Sequence, residues 1–93
     1  MAHTSRDKKK LLNRIRRIRG QVDAIERALE GELDECSAIL QTIAACRGAI
    51  NGLMAEIIED HIRFHIVDPA REPNSERGRG AQELIDVVRS YIK

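Results

Sequence analysis

Aromatic residues are almost absent from this chain of 93 residues: one Phe (Phe64), one Tyr (Tyr91) and no Trp. A core must therefore be built from Ile, Leu, Val and Ala, which suits helices packed on one another. A chain this short is also poorly placed to bury a core by itself, so association between copies is expected to supply the missing burial. No apolar run approaches the ~20 residues of a membrane helix. The N-terminus is polar and basic with no apolar stretch behind it, so no signal peptide is expected. Cysteine is scarce too. Cys36 and Cys46 stand ten apart on one expected helix, too far to bridge within it, and read as reduced thiols of a cytoplasmic protein. Phosphate-binding loops, Ser/His/Asp arrangements and paired carboxylates are missing, which argues against an enzyme, and no zinc finger is present to read DNA.

What is present is strongly polarised. Residues 6–19 carry eight basic groups (Arg6, Lys8, Lys9, Lys10, Arg14, Arg16, Arg17, Arg19) against Asp7 alone. Residues 20–35 carry six acids against Arg27. The net charge of +1 conceals this separation. A local density of +7, multiplied by symmetry, points to phosphate binding along a nucleic-acid backbone, with a steep dependence on salt. Lys10, Arg14 and Arg17 follow helical spacing on one flank, and Arg16 and Arg19 occupy the other.

Periodicity divides one all-α domain, residues 1–93, into three helices. Leu11, Ile15, Ile18, Val22, Ile25 and Leu29 form one apolar stripe over 5–30, ended by Gly31. A second helix is expected over 34–66, since no Pro occurs before Pro69. Polar residues with Pro69, Pro73, Gly78 and Gly80 read as a linker over 67–80, before a short third helix over 81–92.

Three residues on the second helix have the chemistry of metal ligands. His61 and His65, four apart, share one face. Cys36 falls within about 40° of both on the helical wheel, yet lies roughly 37 Å away along the axis. One helix cannot close that gap. Two antiparallel copies with their dyad near Gly48 and Ala49 bring Cys36 of one chain level with His61 of the other. Ala44, Ala45, Gly48, Ala49 and Gly52 cluster at the same height, and Gly48 with Gly52 has the G-x-x-x-G spacing of closely packed helices. His3 is a fourth candidate: with Met1 removed, the Ala2 amine and the His3 imidazole can chelate together. One thiolate, several imidazoles and an amine suit Ni(II), Co(II) or Zn(II) better than Cu(I). Cys46 has no second ligand near it and reads as core.

The stretches LLNRIRRIRGQVDAIERAL and ILQTIAACRGAINGLMAEIIEDHI resemble the CsoR/RcnR/FrmR family of small helical repressors. The opening AHTSRDKKKL, with Cys36, His61 and His65, looks most like its nickel- and cobalt-sensing RcnR/DmeR branch. The resemblance implies three helices per chain and a tetramer made of two antiparallel dimers. It implies that the metal-free tetramer binds operator DNA and that metal weakens this binding, so that a metal efflux gene is transcribed. It implies ligation by the Ala2 amine, His3, Cys36, His61 and His65. The copper branch carries a second Cys where His65 stands. The formaldehyde branch usually has Pro at the position of Ala2 and lacks the His at 65. Formaldehyde capture by Cys36 and the N-terminal amine is the alternative.

Overall fold

The computed structural model describes residues 5–31 and 35–92, with side chains from residue 8 onward. Three helices follow in order: α1 Ser5–Glu30, α2 Cys36–His65 and α3 Glu76–Tyr91. α1 and α2 form an antiparallel hairpin, and α3 folds back on the C-terminal half of α2. The molecule measures 59 × 27 × 12 Å. Its radius of gyration of 17.4 Å far exceeds the about 12 Å of a compact chain this long. A body this thin has little interior. No described helix is long and apolar enough to cross a membrane.

The hydrophobic stripe of α1 splits into two lines. Leu11, Ile18 and Ile25 are half-buried against α2. Ile15, Val22 and Leu29, one helical row away, are exposed, Leu29 to 65%. No described side chain of α1 is fully buried. The enclosed cluster lies at the other end of the molecule, where Ile62 and Val67 meet Ala81 and Ile85 of α3, with Ile58 beside them.

α2 begins at Cys36, two residues later than the pattern predicts. Glu35 is its N-cap and makes no side-chain capping bond. The larger departure is α3, which starts at Glu76 rather than at 81 and runs straight through Gly78 and Gly80. Ser75 explains the start: its Oγ accepts the Gly78 N–H at 2.9 Å and so satisfies a free helix donor. Gly78 here belongs to a helix rather than a linker. A Cβ at that position would collide with the Glu72 carbonyl oxygen. The connection between α2 and α3 is tied by Asp68, whose backbone oxygen accepts from Arg71 and Glu72 and whose Oδ1 accepts the Ala70 N–H at 3.0 Å.

Candidate metal face and basic face

α2 has three faces. Cys46, Ala49, Leu53 and Glu56 lie toward α1, while Ala55, Ile58, Glu59 and Ile62 lie toward α3. Between them runs a stripe of Cys36, Leu40, Ile43, Arg47, Ile50, Met54, His61 and His65, confined to about 80° of the wheel. Every residue of this stripe is exposed in the protomer. The exposed fractions of Ile43, Ile50 and Met54 are 42%, 44% and 44%. An apolar row of this length, rimmed by polar residues, marks an interaction surface.

The potential ligands stand at the two ends of that row. Cys36 is a free, exposed thiol at the first position of α2. His61 and His65 stand near the end of α2, with ring centroids 5.1 Å apart and planes 29° from parallel. Among the described residues no three His, Cys, Asp or Glu side chains converge as a metal-binding group. The protomer brings the two imidazoles together and leaves the thiol at the far end. Ala2 and His3 lie outside the described residues. Cys46 is buried at 7% exposure, on the α1 side of the helix, as a core residue should be.

The two imidazoles sit on a braced platform. Glu59 accepts from Arg63 Nε at 2.9 Å and from Arg89 Nε of α3 at 2.6 Å. Arg63 reaches on to Asp68 at 3.4 Å. Burial pushes the Glu59 carboxyl upward, but the hydrogen bonds and charges of Arg63 and Arg89 outweigh it, and the group titrates below its ordinary value. This network locks α3 to the turn of α2 that carries His61.

The small-residue cluster departs from its expected role. Gly52 lies about 160° round the helix from Cys36, off the exposed row, and a Cβ there would stand 2.7 Å from Arg14 Nη1. The gap at Gly52 admits an arginine of α1, not a second copy of α2. Gly48 faces open space within the chain and lies about 120° from Cys36. The middle of the exposed row is made by Ile43, Ile50 and Met54 instead.

The basic face of α1 is engaged in the same seam. Lys10 Nζ is 3.2 Å from Glu56 Oε1, and Arg14 Nη2 is 3.3 Å from Glu56 Oε2. Arg16 donates to Asn13 Oδ1 at 3.1 Å, along the outside of the helix. Arg17 and Arg19 are exposed. Sequence reasoning missed Glu56, although the signal was there. A hairpin folded midway between Glu30 and Cys36 sets residue 10 level with 56 and residue 14 level with 52.

Three comparisons bear on the whole. Residues 7–90 match the family model described as metal-sensitive transcriptional repressor. An uncharacterised Serratia marcescens protein from the bioA 5′ region is 54% identical over the full length of both chains. The transcriptional repressor RcnR of Salmonella paratyphi B is 47% identical, also over the full length of both. Among solved structures, a variant of the formaldehyde-responsive regulator FrmR from Salmonella enterica serovar Typhimurium, carrying a Glu-to-His substitution, is 45% identical. It superposes with a TM-score of 0.67 over 97% of this chain and 99% of that one.

Proposed function

The chain belongs to the metal-sensitive transcriptional repressor family, and from that premise we propose that it is a Ni(II)- or Co(II)-responsive repressor of a metal efflux gene. The family consists of transcriptional repressors, not enzymes, and it implies DNA and a metal ion as partners. The choice of metal rests on the donors. The exposed row of α2 presents one thiol and two imidazoles, a borderline set that suits Ni(II) and Co(II), accommodates Zn(II), and lacks the second thiolate favoured by Cu(I).

The carrying observation is that Cys36, His61 and His65 share the one apolar face of α2 that neither α1 nor α3 covers. A second copy laid antiparallel on that face buries Ile43, Ile50 and Met54 and sets Cys36 opposite His61 of the partner subunit. Two such dimers make the tetramer. The Ala2 amine and His3 complete the ligand set from the N-terminal arm. That arm leads directly into the basic part of α1, so recruiting it to the metal moves the DNA-binding residues Lys10, Arg14, Arg16, Arg17 and Arg19. By linkage, DNA then weakens metal binding by the same factor. The protein acts in the cytoplasm.

Formaldehyde is the second reading, favoured by the likeness to the FrmR variant at an identity close to that of RcnR. A gel shift with DNA from upstream of the chain's own gene separates the two. The metal-free protein should retard the duplex, and Ni(II) or Co(II) should release it while formaldehyde does not. Release by formaldehyde alone would transfer the assignment to the second reading, and no retardation under any condition would refute both.

A further inference from the structure

We propose that Gly52 and Glu56 form a latch on α2 that docks Arg14 and Lys10 away from DNA, so that Glu56 competes with phosphate and sets the strength of DNA binding. The inference rests on the reading of the chain as a DNA-binding repressor and adds to it an internal competitor.

Two features of different kind define the latch. The first is steric. Arg14 Nη1 stands 2.7 Å from where a Cβ of residue 52 would be, so any side chain there obliges the guanidinium to shift from its seat on the α2 backbone. The second is electrostatic. The Glu56 side chain, 16% exposed, pairs with Lys10 at 3.2 Å through Oε1 and with Arg14 at 3.3 Å through Oε2. Residues 52 and 56 are one helical turn apart and serve the same arginine. A carboxylate there repels an approaching phosphate and occupies the two cations that the phosphate requires.

The latch is built to be exchanged rather than permanent. Glu56 Oε2 is buried yet lacks an aligned hydrogen-bond donor, so its pairing with Arg14 is one of charge and distance without directional bonding. The Lys10 side chain is 67% exposed and already reaches solvent. DNA phosphate can replace the carboxylate by rotating these two side chains, with no movement of the helices. Removing the Glu56 charge raises the cationic charge open to DNA by about one unit per protomer.

The size of the effect follows from counterion release. One additional phosphate contact steepens the slope of log K against log salt by about 0.9 and raises affinity about tenfold near 0.1 M salt. The experiment is fluorescence anisotropy of a labelled duplex from upstream of the chain's own gene, titrated with metal-free full-length protein across a salt series. Glu56→Gln should bind tighter than wild type with the steeper slope, by about tenfold for each protomer whose α1 lies against the duplex. Gly52→Ala, which displaces the Arg14 guanidinium from its seat and loosens its pairing with Glu56, should shift affinity in the same direction by a smaller factor. In a Lys10→Gln/Arg14→Gln background, Glu56→Gln should give no gain. Unchanged or weakened binding by a folded Glu56→Gln overturns the proposal. If circular dichroism shows that Glu56→Gln does not fold, Gly52→Ala decides alone, and its failure to tighten binding overturns the proposal equally. Failure of the wild-type protein to bind the duplex refutes the repressor reading itself, an outcome distinct from failure of the variants to differ from it.

Discussion

The carbonyl oxygen of Glu72 occupies the space that a side chain at position 78 would need. Gly78 lies in the first turn of α3, and its N–H is capped by Ser75. The backbone of the 66–75 connection is thereby pressed directly against the start of the helix. Gly78→Ala should force the two apart and cost about 3 kcal/mol. Ser75→Ala should cost about 1 kcal/mol through loss of the cap. Chemical denaturation at fixed protein concentration measures both. An Ala at 78 as stable as wild type would show that the connection yields easily.

Glu59 provides a pH-dependent brace. Its carboxyl titrates below the ordinary value of 4.5 because Arg63 and Arg89 outweigh the opposing effect of burial. A carboxylate with a depressed folded pKa stabilises the fold above its unfolded pKa, and the contribution is lost as pH falls through the folded pKa. Arg89 is 55% exposed, so screening keeps the gain modest, at about 1 kcal/mol. Metal-free Glu59→Gln should be less stable than wild type by that amount at pH 7. The difference should shrink as pH falls below the ordinary glutamate value and toward the lower one of the folded state. A difference independent of pH would mean that Glu59 acts by packing and not by charge.

The helical hairpin was legible because its information is local. Leu11, Ile18 and Ile25 mark the face α1 turns to α2, and α1 matches its predicted span of 5–30. The start of α3 was not legible, because a glycine needed for close approach and a glycine in a turn look the same in one sequence. Gly78 proves to be the former. Gly52 misled for a similar reason. Its spacing from Gly48 suggests two backbones in contact, but the missing side chain makes room for Arg14, 38 positions earlier in sequence. Of the proposed ligand set, the common face of Cys36, His61 and His65 was readable from the 100° step of a helix. Their union requires a surface that no single chain closes.

The exposed row of α2 should be an interface between copies. Ile50 stands near the middle of that row, close to the height at which an antiparallel dyad falls. Ile50→Lys would bury two further cations in an apolar seam beside Arg47, which an antiparallel pairing sets level with position 50 of the other copy, a cost of several kcal/mol. Light scattering after size exclusion should show wild type as an oligomer and the variant shifted toward monomer. A protomer with so small a core should also lose thermal stability when it dissociates. An Ile50→Lys protein with wild-type mass would move the interface to another face.

The proposed intersubunit site makes a prediction that no site within one chain can imitate. Cys36→Ala and His61→Ala should each abolish the thiolate-to-metal absorption band of the Co(II) complex, the first by removing the sulfur and the second by removing its neighbour in the ligand set. In an antiparallel dimer, each site takes Cys36 from one subunit and His61 from the other. A mixed dimer of the two variants therefore has one site lacking both residues and one site with both intact. Equal amounts unfolded together and refolded should recover about a quarter of the wild-type band, since half the dimers are mixed and each mixed dimer holds one of two sites. If both ligands came from the same chain, every site in the mixture would lack one of them, and no band would return. Recovery on mixing thus reports the subunit origin of the thiolate and the imidazole directly, because separation along α2 keeps them from meeting in any other way.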